Sequence, residues 1–269
     1  MIKIEGKKFD WFGLTQILKE HKGKLRQIRM LSVNELKKKY KGAALGPLWA
    51  LIKPTFTLFI LWFAFEIGLK RNGGVHFING KYTQFVFMLT GYVPWFYISE
   101  CIVGGSRSIR SNKQFVTKLS FPVSNIMTFT SLSGLYIHIL LCAIMYVVLL
   151  CLGFGPSIYN LQFIYYALMM YFFFLVLSWM TAPLSAFSKD FENLINSVIT
   201  GLFWLSGIFW NTYDISPLWL RKLMYFNPIN YFVNGYRKSF LTDTFIFDSN
   251  YTTETIAVSY THLTLPTIA

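Results

Sequence analysis

Acidic side chains are scarce in this sequence: 12 Asp and Glu stand against 25 Lys and Arg, a formal charge of +13. Charge of either sign is thin, at 14% of residues, where a soluble domain carries about 25%. That excludes an ordinary water-soluble fold. Cysteine is limited to Cys101, Cys142 and Cys151. An odd number without a C-x-x-C spacing points to neither a disulfide framework nor a zinc site. There is no H-E-x-x-H, no Walker loop, no nucleophile elbow and no paired-carboxylate motif. Glu66 and Glu100 are the only acids within the apolar stretches, both near their ends. His138 stands alone and is expected to make an interhelical hydrogen bond. No catalytic residue and no metal ligand is therefore assigned, and energy is expected to arrive from a partner. The first ten residues have no apolar core, so no cleavable signal peptide is expected.

What is abundant is apolar surface: 54% hydrophobic and 19% aromatic residues. They gather into blocks of about 20, the length that crosses a bilayer. The roughly ten-residue alternation of a membrane β-barrel is missing. An all-α membrane protein is the reading. The basic residues frame the apolar blocks, which fits anionic lipid head groups and speaks against nucleic acid.

Residues 1–46 read as a cytoplasmic amphipathic interface segment. Trp11, Leu14 and Leu18 share one helical face, and Leu25, Ile28 and Leu36 another. A transmembrane domain follows over 47–254. Spans are expected at 48–69, 82–103, within 123–152, at 158–180 and at 194–210, with an outer turn at Asn72-Gly73-Gly74. Seventeen Lys and Arg then fall on one side and seven on the other, so the N-terminus is expected in the cytoplasm of a multi-pass plasma-membrane protein.

Two stretches do not fit simple spans. Residues 104–122, GGSRSIRSNKQFVTKLSFP, form a basic loop able to fold as a short amphipathic helix. Residues 217–241 hold two apolar runs of about ten residues around Asn227-Pro228, too short to span, and read as a re-entrant pair at the outer face. The Thr-rich end, VSYTHLTLPTIA, shares no pattern with the rest. Residues 255–269 are expected to be a foreign or truncated tail, resembling a run-on of adapter sequence.

Leu31-Ser-Val-Asn-Glu-Leu-Lys37, Leu45-Gly-Pro-Leu-Trp-Ala50 and Pro54 resemble the approach to the first span of ABC-2 type export permeases. Gly105-Ser-Arg-Ser-Ile109 and Lys118-Leu-Ser-Phe-Pro122 resemble the loop between their second and third spans. Asn227-Pro228, Tyr231 and Gly235-Tyr236-Arg237 resemble their outer re-entrant pair. The likeness covers residues 25–241 and is nearest to the teichoic acid translocation permeases, with O-antigen and capsule exporters as relatives. It implies six spans, of which this chain shows five.

The resemblance also implies a half-transporter that pairs with a second copy and with a cytoplasmic ATPase subunit. ATP and Mg would be bound on that partner and no cofactor on this chain. The cargo would be a lipid-linked anionic polymer. Arg107, Ile109, Arg110, Phe115, Lys118 and Leu119 are the coupling candidates, with Ile109, Phe115 and Leu119 meeting the ATPase groove. Trp62, Tyr92, Trp95, Phe96 and Tyr97 are candidates for a passage lined by aromatics. Arg221, Lys222, Asn227, Pro228, Tyr231, Tyr236, Arg237 and Lys238 mark the outer region, its cations placed to meet polymer or lipid phosphates. Alternatives are export of O-antigen or capsular polysaccharide, of a drug or small lipid, a membrane-embedded cell-wall lipid transferase, and a receptor or scaffold.

Overall fold

The computed structural model describes residues 12–69, 73–119 and 121–245. Trp11, the side chains of Leu14, Lys118 and Leu119, and the 255–269 tail lie outside them. The fold is helical, as expected.

The basic N-terminal segment forms α1 (Phe12–His21) and α2 (Leu25–Lys39), broken by Gly23, whose φ of +77° suits a residue without a Cβ. One line of residues four apart, Ile28, Ser32 and the partly buried Leu36, turns inward. Ser32 Oγ lies 3.2 Å from the Tyr136 hydroxyl and His21 Nε2 lies 2.7 Å from Thr128 Oγ1, both on α6. The segment thus docks on the bundle through polar contacts. Leu18 and Leu25 do not join that line; they are 68% and 74% exposed, because the bundle covers only the Ile28 face.

A 3₁₀ turn at Gly46–Leu48 leads into α3 (Trp49–Trp62), which widens to π geometry over Phe63–Gly68. The connection to α4 is an antiparallel hairpin of β1 (Val75–Phe77) and β2 (Gly80–Tyr82). Phe77 pairs with Gly80, so the reversal sits at residues 78–79, and Ile78 takes a φ of +54°. Of the turn expected at residues 72–74, Asn72 lies outside the described residues, Gly73 is in a turn and Gly74 takes a φ of +71°; the hairpin adds a second reversal. Strands this short carry too little alternation to be read from sequence.

Helix α4 (Gln84–Ser111) is the axis of the molecule. It is capped by Thr83, whose side chain accepts from Val86 N, and buries residues along most of its length. Its 28 residues reach about 42 Å, beyond a hydrocarbon layer of about 30 Å. The expected loop from Gly104 is therefore helical to Ser111, and only α5 (Lys113–Leu119) follows before α6 (Val123–Cys151). Helix α7 (Gln162–Phe187) crosses α4 where Gly105 meets Ser178; a methyl on Gly105 would stand 2.2 Å from Ser178 Oγ. Close approach at small residues is what packs helices where lipid removes the hydrophobic drive.

Four helical stretches are long and apolar enough to span: Gly46–Gly68, Gln84–Ser111, Val123–Cys151 and Ile158–Phe187. The expected fifth, 194–210, differs. Its helix, α8 (Lys189–Leu205), has 17 residues, starts five earlier and stops at Leu205. Gly207, at φ +64°, breaks it where a Cβ would stand 2.4 Å from Thr212 Cγ2. Helices α9 (Leu218–Tyr225) and α10 (Pro228–Leu241) complete the described fold, with α10 set against α4 and α7.

Candidate functional site

Polar side chains collect at the two ends of α4, about 40 Å apart along the helix. At the basic end, Arg107 Nε lies 2.6 Å and Arg110 Nη1 3.3 Å from the two carboxylate oxygens of Glu192 on α8. Arg107 Nη2 also donates to Asn196 Oδ1 at 3.2 Å, and Arg110 donates to the Ser185 carbonyl of α7. Glu192 sits in the first turn of α8, where the helix dipole favours an anion. One carboxylate thus joins α4 to the α7–α8 corner.

Helix α2 is tied to the same end. Lys39 pairs with Glu100, and Lys38 donates to Asn112 Oδ1 at 3.2 Å. Burial, then the neighbouring charge of Glu100, pushes the Tyr40 hydroxyl up to about 12, so it stays neutral across physiological pH.

Not every coupling candidate faces outward. The Phe115 ring lies 5.6 Å from Phe121 and 5.8 Å from Phe129, and Ile109 packs on the same cluster with Ile28 and Ala182. Both are partly buried: Ile109 on α4 joins that cluster, and Phe115 on α5 meets it through Phe129 of α6. Outward apolar side chains among the described residues here include Val116, 37% exposed, and Phe187, 97% exposed at the α7–α8 corner.

The five aromatic passage candidates are not on one face. Trp62, Tyr92 and Phe96 line a cavity of about 230 Å³ between α3, α4 and α6. Trp95 instead packs 5.4 Å from Phe203 of α8. Tyr97 is buried, with its hydroxyl 3.1 Å from Ser131 Oγ and its ring 5.2 Å from His138. A helical turn of about 100° per residue aligns 92 with 96 and sends 97 elsewhere.

At the other end, Asn227 caps α10 by accepting from Ile229 N at 3.0 Å, and Pro228 occupies the first turn. Tyr231 packs against Tyr166, ring centroids 5.5 Å apart. The Tyr236 hydroxyl lies 2.6 Å from His138 Nε2, the interhelical bond expected of that histidine.

Arg237, expected among the outer cations, is completely buried. Its guanidinium makes five hydrogen bonds: two to the Phe87 carbonyl, one each to the carbonyls of Gly207 and Ile208 at 2.7 Å, and one to Asn234 Oδ1. It also stands 3.5 Å from the centroid of the Phe87 ring. Arg237 therefore clamps α4, the break after α8 and α10 together, and has no donor left for a phosphate. Lys238 is buried as well. Arg221 donates to the Tyr213 carbonyl, and Lys222 is exposed.

Beside this clamp lies a cavity of about 510 Å³ lined by Gly74, His76, Gln84, Trp210, Asn211 and Asp214 among others. Sequence reasoning missed it, having placed Trp210 at the end of a span. The available signal was the run Trp210-Asn-Thr-Tyr-Asp214, polar and aromatic together just after an apolar block.

The sequence profile described as ABC-2 type transporter matches residues 26–241, from α2 to the last residue of α10. The chain is 25% identical over 207 residues to the O-antigen export system permease protein RfbA of Myxococcus xanthus, covering 77% of this chain and 76% of that protein. It is 26% identical over 225 residues to a protein of the same name from Klebsiella pneumoniae, covering 80% of each. With the profile spanning all four long apolar helices, the hairpin and the Arg237 clamp, this chain belongs to the ABC-2 type transporter family.

Proposed function

We propose that this chain is the permease subunit of an exporter for a lipid-linked polysaccharide of the O-antigen type. The carrying observation is the similarity to O-antigen permeases over 76% and 80% of their length. It favours O-antigen over the teichoic acid expected from sequence. The burial of Arg237 and Lys238 supports the same choice, since a polymer of phosphates would meet only half the outer cations that the sequence offers.

The permease pairs with a second copy of itself in the plasma membrane, N-terminus inside, in contact with membrane lipids. A cytoplasmic ATPase subunit binds ATP and Mg and docks at the basic end, on α5 and the α7–α8 corner. Arg107 and Arg110 both hold Glu192, so a push there passes between α8 and α4. Helix α4 carries it to the hairpin end, where Arg237 holds the Phe87 turn. Trp62, Tyr92 and Phe96 form the apolar wall along which sugar faces slide.

The test is complementation. Expressed with its ATPase in a strain lacking its own O-antigen permease, the chain should restore long-chain polysaccharide at the cell surface. Polymer retained inside cells that contain both subunits would refute the reading.

A further inference from the structure

A second cavity, of about 460 Å³, lies at the basic end between α2, α4 and α6. On α4 it runs from Glu100 to Ser111, the final turns of the helix. Those turns belong to the end that overruns the hydrocarbon layer. Past Lys39 the chain enters α3 at Trp49, and Leu45, Leu48 and Trp49 are all exposed. An exposed Trp beside a basic helix end marks the head-group level of a bilayer. The cavity therefore lies where lipid head groups are found.

Its lining carries both signs, Lys38 and Lys39 with Glu35 and Glu100. Lys38 is occupied: it donates to Asn112 Oδ1 at 3.2 Å and pairs with Glu35 at 3.6 Å. Arg107, also on the wall, is held by Glu192 and Asn196. Lys39 differs. An ammonium has three donors, and among the described residues Lys39 hydrogen-bonds only to Glu100 Oε1. The Glu100 Oε2 atom likewise has no hydrogen-bond partner there, and the two side chains are 40% and 35% exposed. Behind the wall, the hydroxyls of Ser108 and Thr130 are buried without a partner among the described residues, free to turn toward a ligand.

These groups select a ligand. A phosphate takes the spare donors of Lys39. A bare phosphate would also face the Glu100 carboxylate and be repelled by it. A primary ammonium next to the phosphate removes that repulsion and donates to the remaining oxygen of Glu100. A quaternary ammonium brings the charge but has no N–H to give.

We infer that this cavity is a head-group site for a membrane phospholipid whose phosphate carries a primary ammonium, with Lys39 on the phosphate and Glu100 on the ammonium. Such a lipid braces α2 against α4 and α6, beside the Glu192 contacts rather than within them. The inference rests on the proposed orientation for the leaflet that supplies the lipid, and it is independent of the polymer exported.

The experiment uses the full chain with its ATPase, purified in detergent. It is titrated with phosphatidylethanolamine, phosphatidylcholine or phosphatidylglycerol of identical acyl chains, and bound lipid is counted by native mass spectrometry. Phosphatidylethanolamine should be retained severalfold over phosphatidylcholine. Glu100→Gln should lower the ratio of phosphatidylethanolamine to phosphatidylglycerol severalfold, since it removes the ammonium's acceptor and the anion's repulsion together. Lys39→Gln should weaken binding of all three. Both side chains are partly exposed, so the thermal midpoint should barely move in either variant. Inorganic phosphate should not displace the lipid; displacement by it would make this a site for a free anion and overturn the lipid assignment. Equal retention of phosphatidylethanolamine and phosphatidylcholine, an unchanged ratio in Glu100→Gln, or undiminished binding in Lys39→Gln would overturn it too. A failure of export with this lipid binding intact would count against the export reading alone.

Discussion

The two ends of α4 use arginine in opposite ways. At the basic end, Arg107 and Arg110 share Glu192, and their side chains are 43% and 37% exposed. At the hairpin end, Arg237 is fully buried against three carbonyls, an amide and an aromatic face, with no carboxylate among its hydrogen-bond partners. Exposure decides what each contributes. An ion pair in contact with water gains little because solvent screens it. A buried guanidinium strands its acceptors when removed, and each buried polar group left unpaired costs about 1–3 kcal/mol. The hairpin end is therefore built for rigidity. The basic end holds its shape through contacts that exchange at small cost.

Substitutions can break that contrast. The largest effect is expected from Arg237→Leu, about 3–5 kcal/mol by analogy with halving a buried pair, read as a drop in folded yield and thermal midpoint in nanodiscs. Arg237→Lys should rescue little, since an ammonium cannot reach all of these acceptors. Next comes Gly91→Ala, whose methyl would stand 2.4 Å from Arg237 Nη2 and 3.3 Å from the Ile208 carbonyl. A loss of about 1–3 kcal/mol is expected for such overpacking. Its counterpart at the basic end, Gly104→Ala, meets nothing closer than Glu100 Oε1 at 3.6 Å and should be neutral in the same assay.

Tyr236→Phe removes the 2.6 Å bond to His138 and should cost about 0.6–1.7 kcal/mol, the range for polar pairs between membrane helices. Smallest in stability is Glu192→Gln, at about 1 kcal/mol or less. It should nevertheless reduce polymer export per ATP hydrolysed, because it loosens α4 from α8. Unchanged export per ATP in this variant would remove Glu192 from the coupling route.

Much of the architecture was legible because bilayer-length apolar runs are long signals. Three of the long helices lie close to their expected spans, and the lone histidine found its interhelical partner. The misreadings share one physical origin. Arg237 sits in Asn234-Gly-Tyr-Arg-Lys238, which reads as an exposed amphipathic stretch. Its burial depends on carbonyls 29, 30 and 150 residues away, and no local pattern carries such contacts. Phe115 likewise turns inward only because α6 supplies Phe129. Gly104–Ser111 was read as a loop because Arg and Ser lower its hydropathy. A helix end projecting past the membrane has the same composition as a loop, and only packing against α7 and α8 separates them.

The most direct test is site-specific photocrosslinking in cells that express the chain with its ATPase. A crosslinker replacing Val116, on α5, should capture the ATPase, and one replacing Asn79, at the hairpin reversal, should not. Capture from Asn79, or none from Val116 in a strain that exports polymer, would contradict the assignment of the two ends.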